Sequence, residues 1–374
     1  MLETAWYFLS GFFGLSWAQV CHPMISTQKS TERDLGIYSR RSWFQQYFGL
    51  GFGVSCISIY LLPFSLQRYY NGLSLQGHVD NSTSNPVVDA IEEWQYTYLA
   101  NATSRLKPLV TGYNWTYSDS FNAQAMCTYE IIAFGYSSFC SLFTADEWIG
   151  FGYAQDLLYF GTVGYFLTTM STNNKGFQSP IGRALGVGWV NELHDRLLLV
   201  QPNGTFASEN STLDDSPSTF PLNQTLYFDF SHDYTIVAVI AAMGLTQFTQ
   251  FLPSTGPPQN QQNSLSNLVP YGARMVFEKI ECSAPISSDR SGNLTNGTEP
   301  TTYVHMLLNQ RTVPLGFSYQ ACGNRSDGWC ELNAFVHTLE EQQALVDFDY
   351  SCYGNYTLPP WGNVTNGLPP QAGS

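Results

Sequence analysis

Charged side chains are scarce in this chain, and basic ones are the scarcest. Only 12% of the 374 residues are charged, with 15 Lys and Arg against 29 Asp and Glu, so the formal net charge is −14. Nucleic-acid binding requires a basic face, and this balance therefore argues against a nucleic-acid partner. A chain of this length is long enough to bury a large core in one or two domains.

Several short catalytic signatures are also missing. The sequence contains no Gly-x-Ser-x-Gly, the nucleophile elbow of many serine hydrolases, and no Lys-bearing phosphate loop. The six histidines form no metal-spaced cluster with cysteines or carboxylates. We therefore predict an activity that uses neither a metal nor an organic cofactor.

Glycosylation sequons, by contrast, are abundant. Eleven Asn-x-Ser/Thr sites imply a glycoprotein of the secretory pathway, in which most of the eight cysteines would form disulfides. The predicted glycosylation sites are Asn81, Asn101, Asn114, Asn203, Asn210, Asn223, Asn293, Asn296, Asn324, Asn355 and Asn363.

The segment Leu226–Leu245 predicts a strand, a tight turn and a helix. Aromatic, β-prone residues lead into Ser231, and small apolar residues then continue to Gly244, where a helix would end. This arrangement places His232 and Asp233 at the first turn of the helix, where free backbone N–H groups and the helix dipole attract anions. The alternative is that Asp233 only caps the helix and His232 is a satisfied core histidine.

The Ser-His-Asp between a hydrophobic strand and an apolar helix resembles the second signature of the histidine acid phosphatases, in the fungal phytase and acid phosphatase branch. The resemblance covers roughly Gly77 to Tyr353 and consists of several blocks in the order of that family. The other matching blocks are Cys140–Trp148, Ser179–Leu198, Pro217–Thr225, Pro270–Arg274 and Leu308–Leu315.

The resemblance implies an α/β fold of the histidine-phosphatase-like (phosphoglycerate-mutase-like) type, with a mixed sheet flanked by helices and an incomplete large domain. A helical cap is expected at about residues 88–170, where apolar residues recur at three- and four-residue spacing. By the same resemblance, Cys127 pairs with Cys140 and Cys322 pairs with Cys330.

Ser179–Leu198 resembles the Gly-rich turn of the family followed by an amphipathic helix. The glycines shape the backbone in this interpretation. The helix would carry Glu192 and Arg196 on its polar side, and His194 would be exposed.

The resemblance also implies that the chain begins inside the phosphatase domain. Residues 1–18 are interpreted as an internal helix of that domain, 19–75 match nothing in the family, 76–356 form its C-terminal two-thirds, and 357–374 are a flexible tail.

An uncharged run of twenty residues lies at 47–66 within the unmatched segment, and it is long enough to span a bilayer. Arg40 and Arg41 before it would keep the N-terminal side cytosolic. The alternative is an insert with accidental hydropathy. The chain is therefore predicted to be secreted and extracellular, or lumenal and anchored to the membrane if 47–66 is a signal anchor.

In the resembled family, a histidine of an Arg-His-Gly-x-Arg-x-Pro stretch attacks phosphorus, while the later His-Asp pair binds the phosphate and protonates the leaving oxygen. The resemblance therefore implies that His232 binds phosphate, that Asp233 is the proton donor and that the substrate is a small phosphate monoester, phytate or another. Burial and a neighbouring phosphate would favour the protonated form of Asp233. Tyr234 departs from the best-known phytases, which have Asn there.

Arg-His-Gly occurs nowhere in the 374 residues. Two hypotheses follow. The first is a phosphoric monoester hydrolase by descent, which lacks its nucleophile in this chain and has little or no activity as it stands. The alternative is a non-catalytic secreted or lumenal glycoprotein, a pseudophosphatase that at most binds phosphorylated ligands through His232 and the helix N-terminus.

Overall fold

The computed structural model describes residues 59–61, 86–162, 182–203, 207, 209–261, 264–289, 291–354, 361, 362 and 368. The chain forms two compact units, one of residues 1–74, 199–204 and 210–232 and the other of residues 75–198, 205–209 and 233–374. The predicted internal helix at 1–18 lies outside the described residues, as do most of 19–75 and most of the predicted tail.

Helices and strands both occur, in the α/β class that the sequence predicts. In chain order the elements are β1 (Ile59–Leu61), α1 (Pro86–Tyr98), α2 (Ala100–Leu106), α3 (Tyr117–Phe134), α4 (Ala145–Thr162), α5 (Gly182–Leu198), α6 (Ser211–Asp214), β2 (Phe228–Phe230), α7 (Asp233–Ala242), α8 (Leu265–Leu268), β3 (Met275–Cys282), β4 (Thr301–Leu308), β5 (Arg311–Thr312), β6 (Cys330–Glu331), α9 (Leu332–Ala344) and α10 (Phe348–Tyr353).

The smaller unit contains a parallel strand pair. Ile59 of β1 is opposite Phe228 of β2, and Leu61 is opposite Phe230. Of the uncharged run 47–66, only β1 lies within the described residues. Among the helices that the structure describes, none combines the length and apolar character needed to cross a bilayer.

In the larger unit, α1 to α4 occupy the range where the sequence predicts a helical cap. Helix α3 begins at a reciprocal cap, because Thr116 Oγ1 accepts a hydrogen bond from Asp119 N and Asp119 Oδ2 accepts one from Thr116 N. It ends at Gly135, whose φ of 76° suits glycine. Apolar side chains from α2, α3 and neighbouring segments form one cluster of Leu99, Ala102, Leu106, Ala123 and Phe143.

The expected Gly-rich turn is wrong for residues 182–188, which are helical. The glycines instead permit close helix packing. A Cβ built on Gly186 of α5 would lie 2.2 Å from the carbonyl oxygen of Ala238 on α7, so the two backbones meet at a distance that only glycine allows. Ala184 and Val187 beside it are fully buried.

The expected polar side of α5 is also wrong. Glu192 and Arg196 are buried, and Arg196 Nη2 donates to Glu192 Oε2 at 2.9 Å. The physical reason is that α9 and α10 both contact α5. A face that looks polar in the sequence is thus covered by helices from the end of the chain.

The remaining sheet is antiparallel. Strand β4 pairs with β3 along eight residues, and its other edge pairs with the short strands β5 and β6. Tyr303 and Met306 of β4 and Phe335 of α9 are fully buried, so α9 packs on this sheet and contributes to its core.

His194 connects α5 to α9 and is half-buried, not exposed as the sequence suggests. Its Nδ1 lies 2.9 Å from Asp195 Oδ1, and its Nε2 lies 3.4 Å from Glu340 Oε1. The hydrogen bond to Asp195 and then that to Glu340 raise the pKa of His194 above its ordinary value, although burial opposes the shift.

A raised histidine pKa predicts a specific pH dependence. The contribution of His194 to stability should be fully present below its unfolded pKa of about 6.5 and should disappear as the pH rises through the folded value. We expect His194→Gln to flatten the dependence of the free energy of unfolding on pH across that window by less than about 1 kcal/mol. Urea unfolding at a series of pH values measures this. His337→Gln is the control, because His337 also contacts Glu340 but is 68% exposed; equal flattening by both would contradict the assignment.

Candidate active site

The predicted strand–turn–helix at 226–245 is confirmed. Strand β2 ends at Phe230, helix α7 begins at Asp233, and Gly244 follows the helix with a φ of 66°. Helix α7 carries small apolar residues on all sides, and residues 238–242 are all buried. The C-terminal half of α7 is therefore packed in the core, while residues 234–237 are half-buried and Asp233 is exposed.

Two large polar side chains anchor the far end of α7. The hydroxyl of the buried Tyr319 donates to the carbonyl oxygen of Met243 at 2.6 Å. Arg183 Nη1 donates to Gln342 Oε1 at 2.7 Å, and both groups lie against the backbone of Gly244. Burial lowers the pKa of Arg183 to about 10 and raises that of Tyr319.

The carboxyl of Asp233 stands at the opposite, N-terminal end of α7. Its Oδ1 accepts a hydrogen bond from the backbone N–H of Tyr234 at 2.8 Å, and its Oδ2 accepts one from the hydroxyl of Tyr159 at 2.6 Å. The residue is exposed. Each carboxyl oxygen therefore has a donor, while the residue stays accessible to solvent.

Tyr159 is a contact of the candidate residue Asp233 that the sequence does not predict. It lies near the C-terminal end of α4, and its ring centroid is 5.3 Å from that of Tyr234. It is separated from Asp233 by 74 positions in the chain and belongs to no short motif. Nothing in the local sequence distinguishes it from the other aromatic residues of α1 to α4.

His232 immediately precedes Asp233 and is exposed. It is the last residue of the smaller compact unit, whereas Asp233 belongs to the larger one. The boundary between the two units therefore falls between these two consecutive residues. Within the described ranges, no group of three or more His, Cys, Asp or Glu side chains is placed to hold a metal ion.

The two disulfides are the pairs that the family resemblance implied. Cys127 is joined to Cys140 and Cys322 to Cys330. Each closes a short loop, of 13 and 8 residues in sequence separation, and so stabilises local structure chiefly by restricting the unfolded chain. Cys282 at the end of β3 is a half-buried free thiol.

Most of the predicted glycosylation sites within the described residues have exposed asparagines. Asn210 is half-buried, and its Oδ1 accepts a hydrogen bond from Thr212 N at the start of α6. Asn81, Asn355 and Asn363 lie outside the described residues. The exposed members are Asn101, Asn114, Asn203, Asn223, Asn293, Asn296 and Asn324.

Comparison with models of known families shows to which superfamily this chain belongs. The sequence model of the histidine phosphatase superfamily (branch 2) matches residues 1–309. The chain belongs to this superfamily. The family indicated by the ordered sequence blocks is thereby confirmed, and the α/β architecture described above is that of a histidine phosphatase superfamily member.

Named relatives of this superfamily member include phytases and an acid phosphatase. Phytase A of Aspergillus oryzae is 32% identical over 268 residues, which are 70% of this chain and 50% of the relative. Phytase A of Aspergillus terreus is 33% identical over 265 residues, 68% of this chain and 50% of the relative. The acid phosphatase of Schizosaccharomyces pombe is 27% identical over 272 residues, 70% of this chain and 49% of the relative.

The chain thus spans about half the length of the curated relatives it matches. Among solved structures, the crystal structure of the phytase from D. castellii is similar with a TM-score of 0.47 and 22% sequence identity, covering 76% of this chain and 49% of that one.

Proposed function

We propose that this chain carries the phosphate-binding and proton-donating part of a phosphoric monoester hydrolase of the histidine acid phosphatase and phytase type. Asp233 is the proton donor and His232 is a phosphate ligand. The observation that carries this proposal is the exposed carboxyl of Asp233, which two donors hold at the start of helix α7 and which His232 directly precedes in the chain.

The chemistry fits the residue types. A phosphate monoester releases an alkoxide, which leaves poorly unless an acid protonates its oxygen as the P–O bond breaks. An exposed carboxylic acid at the start of α7 supplies that proton. The histidine that precedes it in the chain supplies a hydrogen-bond donor, and in its protonated form a positive charge, for the phosphoryl oxygens.

The phosphohistidine step of the family requires a nucleophile that these 374 residues do not contain as Arg-His-Gly. Loss of a nucleophile removes the covalent route itself, and the remaining binding interactions replace little of the lost rate. We therefore expect this chain by itself to bind phosphate and to show little or no turnover. The second candidate function is a non-catalytic pseudophosphatase that at most binds phosphorylated ligands through His232 and the start of α7.

The proposed ligands are small phosphate monoesters, phytate or others, and the acidic chain is not expected to bind nucleic acid. The proposed location is extracellular, after secretion, or lumenal if residues 47–66 anchor the chain. Exposure of most of the described sequon asparagines supports glycosylation and hence a secretory route.

Hydrolysis of p-nitrophenyl phosphate at about pH 5 tests the catalytic part of the proposal. The purified chain is compared with Asp233→Asn, and binding of inorganic phosphate to both and to His232→Ala is measured by calorimetry. We expect no turnover from any of them, and phosphate affinity that falls at least about tenfold in His232→Ala, the loss of one charge-assisted hydrogen bond.

The outcomes separate the hypotheses. Turnover that falls in Asp233→Asn would mean that another residue acts as nucleophile, and the expectation of an inactive chain would be wrong. Phosphate affinity that is unchanged in His232→Ala would remove the phosphate-binding role of His232.

A further inference from the structure

The C-terminal half of helix α3 exposes large apolar side chains. Its last turn, residues 131–134, has the sequence Ile-Ile-Ala-Phe, and all four residues are exposed, with Ile132 at 83% and Phe134 at 79%. A run of exposed apolar residues of this kind is a liability for aggregation unless it has a function. We define the α3 patch by its six exposed large apolar residues, Met126, Tyr129, Ile131, Ile132, Phe134 and Tyr136.

The core-facing stripe of α3 uses other residues. The buried side chains of this helix are small or polar, and they are those of Ser120, Ala123, Gln124 and Cys127. The stripe ends at Cys127, two turns before the helix ends at Phe134. Packing within the larger unit therefore leaves the bulkiest apolar residues of α3 in solvent, although a helical turn that is apolar on every side is normally buried.

The area of the α3 patch fits an interface between proteins. At about 200 Å² for a fully exposed large apolar side chain, the six residues expose roughly 800 Å². The largest apolar patch of an ordinary monomer covers about 300–600 Å², and each partner in a stable complex contributes about 800 Å². The patch is therefore large enough to hold a partner by itself.

The charge of the α3 patch selects among partners. Residues 120–136 contain one charged side chain, that of Glu130, and its Oε2 accepts a hydrogen bond from Oγ of the buried Ser137 at 2.7 Å. A strongly charged partner therefore finds no complementary charge there. A lipid surface is also a poor fit, because helices that lie on membranes carry Lys or Arg on their polar face, and α3 contains neither.

We propose that the α3 patch is the interface of a homodimer, in which it packs against the same patch of a second copy across a two-fold axis. Interfaces between identical subunits are more apolar than other interfaces, and a two-fold axis lets one neutral surface serve both partners. None of the eleven sequons lies between residues 115 and 202, and Asn114 precedes the opposite, N-terminal end of α3. The dimer does not depend on the proposed function.

Sedimentation equilibrium of the full chain tests the proposal, with free thiols alkylated beforehand so that Cys282 cannot link two copies. We expect the mass to rise from that of one chain to that of two between about 0.1 and about 100 μM. Each copy carries a net charge of −14, which opposes association. Raising the salt concentration should therefore tighten an apolar dimer, because salt screens this repulsion.

Phe134→Lys is expected to weaken the dimer by about thirtyfold or more, the effect of a central interface residue. Lysine makes the chain less acidic, so the new charge by itself reduces the general repulsion between copies. Phe317→Lys is the matched control, because Phe317 is 71% exposed in the short turn Leu315–Phe317, outside α3. Its dimer should be as tight as that of the wild type. Equal thermal unfolding midpoints at a concentration where all three proteins are monomeric verify that both variants fold.

A wild type that stays monomeric at every concentration would overturn the inference, and so would a Phe134→Lys dimer as tight as the wild type. Equal weakening in Phe134→Lys and Phe317→Lys would also overturn it, because the loss would then come from added charge and not from the patch. A monomer that sediments with phosphatidylcholine vesicles, and loses this binding in Phe134→Lys, would identify a lipid-binding surface instead. These results leave the proposed roles of His232 and Asp233 untouched, since none of them measures phosphate binding or hydrolysis.

Discussion

Gly186→Ala is expected to destabilise the larger unit by about 1–3 kcal/mol, although alanine is the better helix former. The added Cβ would lie 2.2 Å from the carbonyl oxygen of Ala238, 2.5 Å from its carbonyl carbon and 2.7 Å from the backbone nitrogen of Val239. These are backbone atoms of a buried helix, so no side-chain rotation relieves the overlap. Helices α5 and α7 must separate, which opens the core around Val187.

Gly152→Ala is the matched control. Gly152 lies inside α4, it is exposed, and no atom lies within 4 Å of a Cβ built on it. The same substitution should therefore leave stability unchanged or raise it by about 0.5–1 kcal/mol, the usual gain of alanine over glycine in a helix. Thermal and urea unfolding of both variants measure the contrast. Similar midpoints for Gly186→Ala and the wild type would contradict the close helix contact.

Glu147→Gln is expected to lower the free energy of unfolding by about 2 kcal/mol at pH 7, because the Glu147 carboxylate accepts hydrogen bonds from three N–H donors. Its oxygens accept hydrogen bonds from Arg105 Nη1 at 3.1 Å, Arg105 Nη2 at 2.9 Å and the backbone N–H of Thr144 at 2.8 Å. Thr144 Oγ1 in turn accepts from the backbone N–H of Glu147 at 3.3 Å. This reciprocal cap begins α4, the helix that carries Tyr159.

The pH dependence of this effect has a definite sign. Burial opposes the charge of Glu147, but the hydrogen bonds from Arg105 and Thr144 outweigh it, so its pKa lies below the ordinary value. The stabilisation should be present above the unfolded pKa of about 4.3 and should be lost as the pH falls through the lower folded value.

Urea unfolding of wild type and Glu147→Gln at about pH 7 and at successively lower pH measures the difference. The difference in the free energy of unfolding between the two proteins should become smaller as the pH falls. Asp146→Asn is the control, because Asp146 is the neighbouring acid in the same helical turn and is exposed. A gap that stays constant with pH, or an equal cost for Asp146→Asn, would rule out the proposed ionic cap.

The sequence determined the elements whose causes are local. The aromatic run before Ser231 and the small apolar run that ends at Gly244 contain their own strand, turn and helix signals, so β2 and α7 were predictable. Ordered family blocks indicated the superfamily, the two disulfides and the identity of His232 and Asp233 as candidate residues. These predictions were possible because the signals lie in neighbouring residues, or in sequence blocks that occur in the same order as in the family.

Only the tertiary structure decided what surrounds those residues. Burial of Glu192 and Arg196 depends on helices from the end of the chain, and the contact of Gly186 with Ala238 depends on how closely two helices approach. The hydrogen bond between Tyr159 and Asp233 likewise joins two residues that are 74 positions apart in the chain. Such contacts have no periodic or short-range signal, because packing between distant segments creates them, and they determine how the candidate acid is held.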